Sequence, residues 1–185
     1  MGSITLISGC MFSGKTTALI REAGAAEAAG RRVVVFKHGV DRRYAGGEVV
    51  THNGARVAAR AVKVSADVLA TAGSAEVVAI DEGHFFDDEL PAVCAALRER
   101  GVDVIVTALD RMWKGQHFPT IQRLAEMADR HERVLAVCAR CGRPATVSQR
   151  IRPFDRPGDF VGGAESYEPR CEACFVPGVD EPEVE

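Results

Sequence analysis

Gly9, Gly14, Lys15 and Thr16 stand at the four fixed places of G-x-x-x-x-G-K-[ST], with Cys10, Met11, Phe12 and Ser13 between them and Thr17 directly after. That spacing suits phosphate capture. The glycines let successive backbone N–H groups converge on an anion, and the positive end of a following helix adds to the attraction. The lysine bridges the β- and γ-phosphates of a nucleoside triphosphate, and the hydroxyl of Thr16 ligates Mg²⁺. Gly9, Met11, Phe12, Ser13, Gly14, Lys15, Thr16 and Thr17 are therefore expected to hold the phosphates of a nucleotide.

Such a loop needs an acid at the end of a neighbouring apolar strand. Asp81 follows Val77-Val-Ala-Ile80 and is the candidate magnesium ligand. Glu82 comes next. If the strand continues, its side chain faces away from that of Asp81, towards whatever lies opposite the phosphates, where a carboxylate can take a proton from an attacking nucleophile. That nucleophile is water in an ATPase and a substrate hydroxyl in a kinase; the Asp-Glu pair fits both.

A second constellation lies near the C-terminus. Cys138-Ala-Arg-Cys141 and Cys171-Glu-Ala-Cys174 are separated by the 29 residues from Gly142 to Arg170. Two such pairs supply four thiolates in tetrahedral array, the usual structural zinc set, with no open position for catalysis. A redox dithiol is the weaker alternative. Zinc would also hold together a segment too small to fold alone.

The elements needed to position these groups can be read along the chain. Ser3–Ser8 is a short apolar strand, Thr16–Ala29 a helix stopped by Gly30, and Arg32–His38 a second strand. Residues 39–56 are polar, hold four glycines and show no helical period, which predicts a long loop. Val62–Ala72 suggests a short helix with Ser65 as its N-cap. Glu76–Asp81 is a strand, Asp87–Arg100 a helix stopped by Gly101, Val102–Ala108 a strand, Pro119–Ala128 a helix with proline near its first turn, and Arg133–Val137 a last apolar strand. Strands alternating with helices imply an α/β fold: a P-loop-type parallel sheet flanked by helices, followed by a small zinc-binding unit. The expected division is 1–135 for the nucleotide-binding domain, 136–175 for the zinc-binding unit, and 176–185 for an acidic, disordered tail.

Composition bounds the rest. The chain has 185 residues, 46% of them hydrophobic, enough for a packed core. A formal charge of −3 gives no general attraction for nucleic acid or anionic membrane. The first residues lack a basic leader, and no apolar run approaches membrane-spanning length, so the expected location is cytoplasmic.

Taken together, these parts resemble the type II thymidine kinases over about residues 4–175. The similarity is carried by "GCMFSGKTT" at 9–17, "DRRY" at 41–44, "THNG" at 51–54, "DEGHFF" at 81–86, "ALDRMWKGQHF" at 108–118, and the cysteine-bearing arms "AVCARCGRPA" and "VGGAESYEPRCEAC". The resemblance implies ATP-dependent phosphorylation of the 5′-hydroxyl of a pyrimidine deoxynucleoside, thymidine or deoxyuridine. Glu82 then matches the general base, with Lys15 and Arg43 at the transferring phosphoryl group and Asp41 beside magnesium. The segment between the cysteine arms matches a lasso that closes over the base. Met11, Phe85, Leu109, Trp113, Phe118, Phe160, Val161, Gly162 and Tyr167 match positions lining the nucleoside pocket, and Ser148 matches a Thr near the thymine methyl group. A homo-oligomer, tetramer or dimer, is implied by the same likeness.

The chain departs from the family pattern at His84 for Gln, Arg111 for Gly, Trp113 for Phe, and His117 for the Pro before Phe118. These changes put base specificity in question. His84 is expected to position rather than catalyse. Two rival readings remain: an ATPase whose zinc ribbon grips nucleic acid through Arg140, Arg143, Arg150 and Arg152, and a non-catalytic nucleotide-binding regulator.

Overall fold

The computed structural model of the chain describes residues 1–40, 48–50, 56–153 and 161–177. In chain order the elements are β1 (Ile4–Ser8), α1 (Lys15–Ala28), β2 (Val33–His38), β3 (Glu48–Val50), β4 (Arg56–Ala58), β5 (Arg60–Val62), α2 (Ser65–Thr71), β6 (Val77–Asp81), α3 (Leu90–Glu99), β7 (Asp103–Ala108), α4 (Pro119–Met127), β8 (Arg130–Arg133), β9 (Ala136–Val137), β10 (Pro144–Ala145), β11 (Val147–Arg150) and β12 (Tyr167–Arg170). Six strands form one parallel sheet in the order β5-β2-β6-β7-β1-β8.

The central strands are apolar because helices cover both of their faces, and alternate residues serve alternate cores. Ile4 and Leu6 of β1, Val78 and Ile80 of β6, and Val104 and Val106 of β7 pack with α2, α3 and α4. Ile7, Val77, Ala79 and Ile105 point the other way, onto Leu19 and Ala23 of α1 and Val49 of β3. The carboxyl ends of β1 and β6 thus emerge side by side with β2 and β7, and the phosphate loop and the Asp81-Glu82 pair sit at that rim.

Four local expectations change. The polar stretch 39–56 contains β3 and the start of β4, paired antiparallel with Val49 opposite Val57, because Val49 has a core face to fill. Ser65 is not an N-cap: Val64 holds that place, and the Ser65 N–H is taken by the Asp87 carboxylate at 2.9 Å. Helix α3 starts at Leu90, since Asp87 turns back to accept the Glu89 N–H. The last sheet strand is Arg130–Arg133, not the apolar run after it; as an edge strand it needs no second buried face. Ala136–Val137 instead pairs with β10, while β11 pairs with β12. Val176 is bound through both backbone groups to the Gln149 amide.

Candidate active site

The phosphate loop leaves β1 at Gly9, where a Cβ would lie 2.2 Å from the Val134 carbonyl oxygen, so only glycine fits. Phe12 and Gly14 take left-handed conformations at φ 64° and 89°, turning the chain into α1. Lys15 is buried, and its ammonium donates to the Cys10 carbonyl at 2.7 Å. Burial pushes its pKa down, opposed by the charges of Glu82, Cys10 and Asp81. A cation held this way inside the loop stands ready for anionic oxygens in place of the carbonyl.

From β6, Asp81 accepts the Thr16 hydroxyl at 3.2 Å, which brings together the two groups expected at magnesium. It also accepts a hydrogen bond from the fully buried Thr107 of β7, Oγ1 to Oδ1, at 2.5 Å. The Thr107 oxygen in turn receives the Glu82 N–H at 3.3 Å. Thr107 was not singled out from sequence.

Glu82 does not continue the strand. It adopts φ 54°, ψ 48°, and opens a 3-10 turn over Gly83–Phe85. A Cβ on Gly83 would come 2.7 Å from a Val106 methyl, so the turn packs directly on β7. The left-handed residue, rather than strand alternation, is what sends the Glu82 carboxylate into the cleft. His84 Nδ1 accepts the Leu109 N–H at 3.2 Å and lies 3.5 Å from Glu82 Oε2. That acceptor role places the ring proton on Nε2. The imidazole rests against Phe85 and Phe118, at centroid distances of 4.2 and 5.2 Å, a setting suited to positioning.

These groups line one cleft of about 420 Å³. Its phosphate end is made by Met11, Phe12, Gly14, Lys15, Thr16 and Thr17, with Asp81 and Glu82 facing them. Its apolar walls are Phe85, Leu109, Trp113 and Phe118, with Ser148, Val161, Gly162 and Tyr167 from the C-terminal segment. Gly9 and Ser13 do not line it; they shape the loop from behind. Asp41, Arg43 and Phe160 lie outside the described residues. Trp113 and Tyr167 are buried together against Met11 and Phe12. The Ser148 hydroxyl is engaged by the phosphate loop, accepting the Met11 N–H at 3.0 Å, and so ties β11 to that loop.

The cleft also contains Lys37, Glu48, Val49, Arg111 and Met112. Lys37 stands opposite Asp81 in the β2–β6 register and donates to the Glu48 carbonyl at 2.9 Å. A lysine next to the end of a largely apolar strand was the available sequence signal, and it is visible only once the strand order is known.

The thiol sulfurs of Cys138, Cys141, Cys171 and Cys174 all lie within 4.8 Å of one another, so the four could hold one metal ion. Four sulfurs about 2.3 Å from a zinc ion would sit roughly 3.8 Å apart, and Cys141 and Cys171 are at 3.5 Å. The Arg143 guanidinium helps draw the Cys141 thiol down to about 6, while hydrogen bonding from Cys141 and burial push Cys174 up to about 12. Unequal thiols crowded together suit a dication, which lets all four ionise. Cys138 and Cys171 share an apolar cluster with Cys10 of the phosphate loop. Among the arginines of the rival nucleic-acid reading, Arg150 is buried, donates to the Arg152 carbonyl and lies 4.8 Å from the Tyr167 ring centroid, so it is not displayed for phosphates. No helix among the described residues is long and apolar enough to cross a membrane.

A family model described as thymidine kinase matches residues 2–175. Thymidine kinase of Chloroflexus aurantiacus is 42% identical over 186 residues, covering 96% of this chain and 96% of the relative. Thymidine kinase of Roseiflexus sp. is 43% identical over 185 residues, covering 95% and 96%, and that of Roseiflexus castenholzii is 42% identical over 185 residues, covering 95% of each. A match along almost the entire length, joined to a phosphate loop, an Asp-Glu strand end and a four-cysteine cluster in a single fold, is decisive: the chain belongs to the thymidine kinase family.

Proposed function

We propose that the protein transfers the γ-phosphoryl group of Mg·ATP to the 5′-hydroxyl of thymidine or deoxyuridine, with Glu82 as general base. The observation that carries this is the position of Glu82, at the junction between the phosphate loop and an apolar wall of nucleoside size. Lys15 and the loop N–H groups hold the β- and γ-phosphates. Thr16 and Asp81, joined by Asp41, hold the magnesium ion, and Arg43 neutralises charge building on the transferred group. The base lies between Phe85, Leu109, Trp113 and Phe118, under Tyr167 and the segment around Val161 and Gly162. Glu82 then takes the 5′-hydroxyl proton as the oxygen attacks phosphorus. Covering the nucleoside excludes water and limits wasteful hydrolysis.

Around this site, residues 1–135 act as the nucleotide-binding domain. Residues 136–175 form a lasso unit built on a structural Zn²⁺ held by Cys138, Cys141, Cys171 and Cys174. The enzyme works in the cytoplasm as a homo-oligomer.

The test is ADP formation from Mg·ATP with thymidine, deoxyuridine, deoxycytidine or a purine deoxynucleoside, in the native protein and in Glu82→Gln. Turnover that requires thymidine or deoxyuridine and falls by about two to four orders of magnitude in the variant is expected. Turnover without any nucleoside would instead make water the acceptor.

A further inference from the structure

The hairpin-like excursion after β7 carries a charged residue, Arg111, where the family pattern has glycine. The excursion is closed on itself: Arg111 bridges His117, Met112 N–H donates to the Gln116 carbonyl at 2.7 Å, and Phe118 N–H donates to that of Asp110 at 3.3 Å. Asp110 anchors its base to Arg133 of β8 at 2.7 Å. Its tip carries Trp113, which packs on Tyr167, Met11 and Phe12 at the cleft wall.

The same excursion touches the turn that carries Cys171 and Cys174 at two points. The Arg111 guanidinium pairs with Glu172 at 2.9 Å, and Glu172 lies between Cys171 and Cys174. The same Glu172 oxygen, Oε1, also accepts the Thr146 hydroxyl at 2.7 Å. At Gly115, held at φ 91°, a Cβ would lie 3.2 Å from the Phe175 ring, next to Cys174. Arg111 is four-fifths buried and Glu172 mostly exposed, so the carboxylate can be altered with little effect on packing.

We propose that Arg111 is a positioning residue that fastens the Trp113 wall of the nucleoside site to the cysteine turn through Glu172, so that nucleoside affinity, and not nucleotide affinity, depends on this pair. This rests on the cleft being the nucleoside site. The geometry supports the separation: the wall of Trp113 and Tyr167 meets the phosphate loop only through Met11 and Phe12, whereas Lys15, Thr16, Thr17 and Asp81 at the phosphates stand on α1 and β6.

The chain has one tryptophan, so Trp113 fluorescence reports this wall alone. Thymidine would be titrated into the native protein, Arg111→Gln, Glu172→Gln and the double variant. A fluorescent ATP analogue would be titrated in parallel, and bound zinc measured by elemental analysis. Each single change should weaken thymidine binding by about threefold, as expected for a partly buried ion pair. The double variant should be no weaker than either single, since both remove the same link. Affinity for the ATP analogue and zinc content should stay at native values. The proposal is overturned if the singles bind thymidine like the native protein or if the double variant multiplies their effects. It is also overturned if ATP affinity falls equally, or if Glu172→Gln loses zinc, which would place the effect in the metal site itself. A native protein that binds ATP but not thymidine would overturn the assignment of the cleft as well, a result distinct from all of these.

Discussion

Replacing Thr107 with valine is the sharpest test of how the acidic pair is organised. The substitution keeps the branched shape, so the buried position loses a hydroxyl and little packing. Two bonds go with that hydroxyl: the one donated to Asp81 Oδ1 at 2.5 Å and the one accepted from Glu82 N–H at 3.3 Å. A hydrogen bond to a charged group contributes about 1.5–3 kcal/mol. Glu82 also sits in a left-handed conformation that costs a non-glycine residue about 1–2 kcal/mol, and the Thr107 oxygen helps to hold it there. If about 2 kcal/mol of this falls on the transition state, kcat drops by roughly 30-fold at 1.36 kcal/mol per tenfold. The assay is thymidine-dependent ADP formation against magnesium concentration, with thermal unfolding measured alongside. The expected result is a fall in kcat of about 10- to 30-fold, a higher magnesium requirement, and recovery in Thr107→Ser, which restores the hydroxyl. A Thr107→Val enzyme with native kcat and a lowered melting temperature would refute the reasoning, because Thr107 would then support the fold without preparing the acids.

Other expectations follow from single contacts. Gly9→Ala should abolish ATP-analogue binding, since its Cβ would lie 2.2 Å from the Val134 carbonyl; native affinity would show that the loop can shift there. Gly83→Ala should lower stability by about 1–3 kcal/mol in urea unfolding, because its methyl group would meet Val106 at 2.7 Å. Cys141→Ser should lose bound zinc on purification and unfold at lower temperature; full zinc retention would contradict the four-thiolate set. At Asp103, burial works to raise the carboxyl pKa, but hydrogen bonds from Ser3 and Arg31 outweigh it and hold the pKa below the ordinary value. A depressed folded pKa gives stability that is present above the unfolded value, about 3.9, and is lost as pH falls through the folded one. The stability gap between the native protein and Asp103→Asn should therefore be constant near neutrality and shrink below about pH 4, and a gap independent of pH would count against the pairing.

Features of the site that depend on neighbours in sequence were the ones legible from the chain. The phosphate loop is a run of eight residues with fixed spacing, and the strand before it and helix after it follow from local periodicity. The cysteine pairs are likewise short patterns, and their four sulfurs do converge. The parallel sheet was readable because strands buried on both faces stay apolar without alternation, and β6 is buried at all five positions. β8 was missed for the converse reason. An edge strand can be as polar as Arg130-His-Glu-Arg133, so the apolar run that follows took its place in the reading.

Interactions that cross between strands could not be read in this way. Thr107 looks like an ordinary strand residue until β7 is known to lie beside β6, and Lys37 looks like a solvated charge until β2 is set on the other side. The direction of Glu82 shows the limit of periodicity most clearly. Alternation expects it to face away from Asp81, which would be sound for a continuing strand. The chain instead leaves the extended state at that residue, turns over Gly83 against Val106, and lets Thr107 hold the turn from the next strand. A short run of backbone outside the strand conformation determines where the carboxylate points. That conformation is favoured by a glycine contact and a threonine about 25 residues away, and neither is a property of the Asp-Glu pair itself.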